Sequence, residues 1–107
     1  MGRFVSILRW TPEQSPGVAR ITAAINNGTA PPSVLAANEK VKLVAQAYSP
    51  HNQFNILIYD VDEKDYAEAS LVAVYASTVG KIETYPVMNE EETVKLGELA
   101  AKMAAGQ

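Results

Sequence analysis

The sequence predicts an α+β fold in which one four-stranded antiparallel sheet carries two main helices on one side. The chain has 107 residues, which suits a single domain. Its apolar patterns change period in the order strand, helix, strand, strand, helix, strand, with a further helix at the end. The run 54–61 has apolar side chains on both faces, which is typical of a central strand buried between two layers.

Composition restricts the classes of function. Hydrophobic residues make up 48% and charged residues 20% of the chain, as in a soluble globular protein. The net charge is −3 without a cluster of Lys or Arg, so we expect neither nucleic acid nor a membrane as partner. The chain has no cysteine, which excludes disulfides, thiolate catalysis and cysteine-ligated metals and favours a cytoplasmic location. We predict no cofactor and no metal site.

The first half of the chain predicts two strands around one helix. Arg3–Trp10 forms the first strand. The motif Thr11–Gln14 resembles a capping box, but Pro16 disfavours helix at the preceding residue. We therefore expect Ser15 as N-cap and a helix that runs to about Asn26. Only one helical turn is expected at 33–37 before the second strand, Val41–Ser49. The mixed second face of this strand predicts either an edge position or the border of a polar cavity.

The second half repeats the strand, helix, strand order. Phe54–Val61 forms the third strand, and Asp62 or Asp65 is expected to cap one continuous helix that ends at Gly80. Lys81–Val87 forms the fourth strand. Asn89 is expected to cap the last helix, which ends near 104.

This order of elements predicts a ferredoxin-like βαββαβ domain over residues 1–107, with right-handed crossovers and both main helices on one face of the sheet. The opposite face would be bare, yet the central strands are apolar on both sides. A second copy of the chain covers such a face most simply, so we predict a homodimer. The alternative is that the terminal helix folds over the face.

Two segments carry a resemblance to a known superfamily. They are the opening run 3–13 (RFVSILRWTPE) and the run 55–62 (NILIYDVD), supported by the following helix and the ending Tyr85-Pro86-Val87. The chain resembles the dimeric α+β barrel superfamily, and within it a small prokaryotic family classed as a domain of unknown function. The resemblance implies a dimeric barrel and no established catalytic residues. Where that family tends to have glycines before its third strand, this chain has Asn52-Gln53.

Few residues are candidates for chemistry. His51 is the only histidine and lies in the loop between the second and third strands, where a surface role competes with a catalytic one. Trp10 and Tyr48 either line a pocket for a planar ligand or belong to the core or an interface. Tyr59 is the second weak catalytic candidate.

Polar residues also interrupt the apolar strands: Arg9, Gln46, Asn55 and Tyr59. Buried polar groups need partners, so these residues either orient a ligand in a cavity or pair across a dimer seam. The ligand-binding candidates are therefore Arg9, Trp10, Tyr48, Asn55 and Tyr59.

Three functions remain open from the sequence. The first is binding of a small molecule, or a regulatory role based on it. The second, by analogy with the superfamily, is a cofactor-free or haem-assisted monooxygenase or isomerase. The third is a structural module for protein–protein interaction.

Overall fold

A computed structural model describes residues 2–106. The chain forms one antiparallel sheet of four strands in the order β2-β3-β1-β4. The strands β1 to β4 span Gly2–Arg9, Lys42–Ser49, Phe54–Val61 and Lys81–Val87. The helices α1 to α5 span Ser15–Asn26, Pro32–Glu39, Tyr66–Ala69, Leu71–Ala76 and Glu90–Ala104. The predicted α+β class and antiparallel sheet are confirmed, and this strand order is consistent with a ferredoxin-like fold.

The central strands are β1 and β3, and β2 lies at an edge as its mixed pattern predicts. Every residue of β2 before Ser49 is exposed, and its pairing with β3 shifts between Leu43 and Ala45. Such a bulge bends an edge strand and makes it a poorer template for pairing with another chain.

The helices α1 and α4 pack over one face of the sheet. Leu8, Trp10 and Val18 form the buried centre at one end of this layer, with Ala76, Val79 and Ile82 packed around them. A Cβ atom on Gly17 would lie 2.8 Å from Val79 Cγ1, so a glycine allows α1 to approach the chain that follows α4.

No helix in residues 2–106 covers the opposite face of the sheet. Its centre is formed by half-buried apolar side chains: Val5, Ile7, Ile56 and Ile58. Every residue of α5 is exposed, so this helix does not fold over the face. The radius of gyration is 16.8 Å, whereas a compact chain of this length has about 13 Å, because α5 projects from the domain.

The start of α1 differs from the expectation. The predicted rejection of the Thr11–Gln14 box is wrong, because the Thr11 N–H donates to Gln14 Oε1 at 2.9 Å and residues 12–14 form a 3₁₀ turn that leads into α1. Ser15 already has helical backbone angles. Its hydroxyl accepts a hydrogen bond from Trp10 Nε1 at 3.1 Å instead of capping the helix.

The expected single helix between β3 and β4 is also wrong. A 3₁₀ turn at Glu63–Asp65 precedes two short helices, and Ser70 separates α3 from α4. The Ser70 hydroxyl donates to the Ala67 carbonyl at 2.6 Å, a local bond that competes with regular helix. Neither Asp62 nor Asp65 makes a side-chain capping bond.

Two smaller differences concern the segment before β2. The single helical turn expected at 33–37 is the two-turn helix α2, which begins at Pro32, a residue favoured at the first helical position. The strand β2 begins at Lys42, one residue later than expected.

The predicted cap of the last helix is confirmed. Asn89 Oδ1 accepts from the Glu92 N–H at 2.9 Å, and Glu92 Oε1 accepts from the Asn89 N–H at 3.2 Å. This reciprocal pair satisfies two backbone donors at the start of α5.

Gln53 occupies the position before β3 where the resembled family tends to have glycine. Its φ of 51° is left-handed, and no other non-glycine residue in 2–106 has a positive φ. The side-chain amide donates to the carbonyl of His51 at 3.0 Å, which supports this strained conformation locally. Gln53 therefore adopts a turn geometry that is typical of glycine.

Candidate functional site

A cavity of about 350 Å³ lies between the sheet and the helical layer. Its roof is formed by apolar side chains of α1 and α4: Ile21, Ile25, Val72, Ala73 and Ala76. Its floor is the face of the sheet beneath them, with contributions from all four strands. The volume lies in the range of small-molecule sites.

Three hydroxyl groups are linked on the cavity floor. Ser6 Oγ lies 2.7 Å from the Tyr59 hydroxyl and 2.8 Å from Thr84 Oγ1. Ser6 is 3% exposed, and its partners come from the strands on either side of β1. Thr84 is paired directly with Ser6, whereas Tyr59 is paired with Phe4, two residues before Ser6 on the same face. The register of the sheet therefore builds this cluster from one direct and one diagonal neighbour.

Aromatic stacking fixes the Tyr59 ring. The ring of Phe4 lies 6.0 Å from that of Tyr59 and 4.7 Å from that of Tyr66, with interplanar angles of 27° in both pairs. Tyr59 and Tyr66 both line the cavity. The Tyr59 ring is thus packed against Phe4 while its hydroxyl hydrogen bonds to Ser6.

A pair of amides lies on the β2 side of the floor. Gln46 Nε2 donates to Asn55 Oδ1 at 3.2 Å, and both side chains line the cavity. Gln46 is exposed, as are Asn26 and Asn38 in the same part of the lining. This side is therefore the mouth of the cavity, and the hydroxyl cluster lies deeper.

The lining contributed by residues 2–106 includes no Asp, Glu, Lys, Arg or His. Within the same part of the chain, no group of three or more His, Cys, Asp or Glu side chains is arranged to hold a metal ion. Hydrogen bonding in the cavity therefore depends on neutral hydroxyl and amide groups.

The structure distributes the candidate residues over several places. Asn55 and Tyr59 line the cavity. Trp10 is buried in the core and stacks on the exposed Tyr48, with ring centroids 6.0 Å apart. Arg9 is exposed on the opposite face of the sheet, where its Nη1 lies 4.0 Å from Glu83 Oε1.

His51 is exposed in the 3₁₀ turn Pro50–Asn52 and does not line the cavity. Of the two weak catalytic candidates, only Tyr59 therefore reaches it.

Two residues of the hydroxyl cluster are not among the candidates from the sequence. Ser6 and Thr84 contribute to the hydroxyl cluster, and each is a small polar residue on a strand face that is otherwise apolar. The sequence does contain a signal for Ser6, because this polar residue shares its strand face with the apolar Phe4 and Leu8. Its significance depends on the partners that the sheet register brings to it.

The strongest ionic cluster lies outside the cavity, where α5 meets the sheet. Arg3 donates to both carboxylate oxygens of Asp60, at 2.9 and 3.1 Å, and to Glu90 Oε1 at 2.7 Å. Hydrogen bonding from Arg3 holds the pKa of Asp60 below its ordinary value. The pKa of Glu90 is also lowered. The larger cause is a backbone hydrogen bond at the helix start, and the hydrogen bond from Arg3 is the next. These groups anchor the beginning of α5.

The described chain, residues 2–106, has no helix with the length and apolar character that crossing a membrane requires. No family model, no curated protein and no solved structure matches the chain.

Proposed function

We propose that this protein binds a small uncharged molecule in the cavity between its sheet and its helices. The observation that carries the proposal is a cavity of about 350 Å³ with an apolar roof and a floor that offers neutral hydrogen-bonding groups. Ligand sites typically combine an apolar wall with a few placed polar groups. An ionised ligand would leave water without a charged partner in this lining, which is costly.

Homodimerisation is part of the proposal. The uncovered sheet face has an apolar centre formed by Val5, Ile7, Ile56 and Ile58. Within residues 2–106, α5 leaves that face open. A second copy that packs its own sheet on this face would bury both centres. The dimer would be an α+β barrel, in agreement with the resemblance of the sequence to that superfamily.

The position of Tyr59 favours a second candidate, a cofactor-free isomerase or monooxygenase. Its hydroxyl lies in the cavity and hydrogen bonds to Ser6, so it is placed to donate to a substrate carbonyl as negative charge develops on the oxygen. Turnover of a carbonyl compound by the wild type, lost in Tyr59→Phe, would favour this candidate over simple binding.

Fluorescence of N-phenyl-1-naphthylamine tests the cavity directly, because this uncharged dye becomes bright in apolar surroundings. We expect the wild-type protein to bind it. Ala73→Leu adds methyl groups to the roof and should weaken binding about tenfold or more by filling space.

Ala23→Leu is the matched control, since Ala23 is exposed on α1 and does not line the cavity. This variant should bind the dye like the wild type. If the wild type fails to bind the dye, or if Ala73→Leu binds it as well as Ala23→Leu does, the proposed site is wrong.

A further inference from the structure

The sheet register places the polar groups of the cavity floor at two separate positions. One row of directly paired residues crosses the sheet: Thr84, Ser6, Leu57 and Gln46. Ser6 and Gln46 are two strand spacings apart, about 10 Å, with Leu57 between them. A hydroxyl position and an amide position thus flank an apolar patch.

The hydroxyl position offers one donor to a ligand. Each of the three hydroxyls has one hydrogen, and the two bonds that join them use two of these hydrogens. Whichever direction the bonds take, one O–H is left without an acceptor inside the cluster. A ligand with an acceptor at this deep end, such as a carbonyl oxygen, would satisfy this O–H.

The amide position offers both a donor and an acceptor. The bond between Gln46 and Asn55 uses one N–H and one carbonyl oxygen. The other amide oxygen and the other NH₂ group remain for a ligand, and this is true for either orientation of the two amides. A primary or cyclic amide complements such a pair, because it also presents an N–H beside a C=O.

The geometry points to a specific ligand class: an uncharged, elongated molecule with an apolar or aromatic middle, a carbonyl acceptor at one end and an amide at the other. The middle would lie over Leu57 and beneath the apolar roof of α1 and α4. This inference rests on the proposed binding function and adds the chemistry of the ligand to it.

Displacement of N-phenyl-1-naphthylamine by three related probes tests the inference without changing the protein. The probe 4-acetylbenzamide carries both end groups. We expect it to bind about tenfold more tightly than 4-ethylbenzamide, which leaves the free O–H without an acceptor. We also expect it to bind about tenfold more tightly than 4-acetylbenzoate, whose carboxylate has no N–H for the free amide oxygen and no cation in the lining.

Two variants locate the effect in the protein. Gln46→Leu, at the exposed mouth, should reduce the preference for the amide over the carboxylate, because only the lack of a cation then disfavours the carboxylate. Tyr59→Phe should reduce the preference for acetyl over ethyl. Tyr85→Phe is the control, because Tyr85 lies on the other face of the sheet, where it hydrogen bonds to Glu83. It should keep both preferences.

The possible outcomes separate the two proposals. If the dye binds the wild type but the three probes displace it equally, the ligand class is wrong and the binding function stands. Retention of both preferences in Gln46→Leu and Tyr59→Phe also overturns the ligand class. Failure of the dye to bind the wild type overturns the binding function itself.

Discussion

Gly80 connects the chain after α4 to β4 at a point where it passes very close to β1. A Cβ atom at this position would lie 2.7 Å from the Arg9 carbonyl oxygen and 3.0 Å from Leu8 Cδ1. Because a backbone oxygen cannot move without disturbing the β1–β4 pairing, we expect Gly80→Ala to lower the free energy of unfolding by about 1–3 kcal/mol.

Urea unfolding measures this loss, with Gly97→Ala as control. Gly97 lies in the exposed helix α5, and a Cβ atom there would have no neighbour within 4 Å. The control should leave the midpoint unchanged or raise it slightly, because alanine favours helix. Equal midpoints for both variants would contradict the close approach at Gly80.

Asp60 should make stability depend on pH in the acid range. Its pKa is lower in the folded chain because Arg3 hydrogen bonds to the carboxylate. A group of this kind stabilises the fold above its unfolded pKa, and the stabilisation is lost as pH falls through the folded pKa. We expect Asp60→Asn to be less stable than the wild type near neutral pH, with a difference that shrinks below about pH 4.

Urea titrations of both proteins between neutral pH and about pH 3 would show this convergence. Thr29→Val changes no charge and removes a hydroxyl that donates to Asn27, so its difference from the wild type should not vary with pH. A constant difference between Asp60→Asn and the wild type would mean that the Arg3 bond does not contribute through the charge of Asp60.

Single residues also show what sequence reasoning reaches and what it misses. Asn89 is predictable as a cap because the whole motif lies within four consecutive residues. Ser6 is not predictable as a site residue, because Tyr59 and Thr84 are distant in sequence and meet it only through strand pairing. The left-handed φ of Gln53 shows that a residue other than glycine can adopt the backbone geometry that glycine favours.

Among the elements, α5 contributes no buried residue to the domain. A chain that ends after Met88 should therefore remain folded, with a thermal midpoint lowered by less than about 4 °C. Circular dichroism should show the loss of one helix and a retained cooperative transition. A chain that ends after Val79 also lacks β4 and should not fold.

If removal of α5 abolishes cooperative unfolding, the helix packs on the domain in solution and the open face described above is wrong. The thermal transitions of the chains that end after Met88 and after Val79 therefore distinguish a projecting α5 from an α5 that covers the sheet.

The strands were predictable as elements, whereas the helical segments between β3 and β4 were not. The central strands are long and apolar, the edge strands alternate apolar and polar residues, and these patterns differ from the helical period. The apolar stripe from Leu71 to Val79 has the helical period and conceals the break at Ser70. At that break the Ser70 hydroxyl bonds to the Ala67 carbonyl, a local contact that periodicity does not report.

For the whole molecule, the open face of the sheet predicts self-association. Light scattering at micromolar concentration should give the mass of a dimer for the wild type. Ile7→Asp places a charge in the apolar centre of that face and should give a monomer. Val94→Asp is the control, because Val94 lies in the exposed α5 and should not affect the dimer. A monomeric wild type contradicts the dimer outright.

The structure also separates two substitutions that the sequence alone leaves equivalent. Ile7 lies on the open face, whereas Leu57 lies on the floor of the cavity. Leu57→Asp should therefore abolish dye binding, whereas the main effect of Ile7→Asp should be to weaken dimerisation. The sequence predicts that both faces of β1 and β3 are apolar, but the position of the helices decides which face encloses the cavity.

The hydrogen-bonding groups proposed to recognise the ligand all belong to strands, and the apolar roof belongs to α1 and α4. Strand register is held across the sheet, so one side chain on the floor is difficult to move alone. Helix side chains in the roof can change size without changing that register. The sheet would therefore determine the length of the ligand and its hydrogen-bonding pattern. Related proteins with altered helices would differ chiefly in how bulky a molecule they accept.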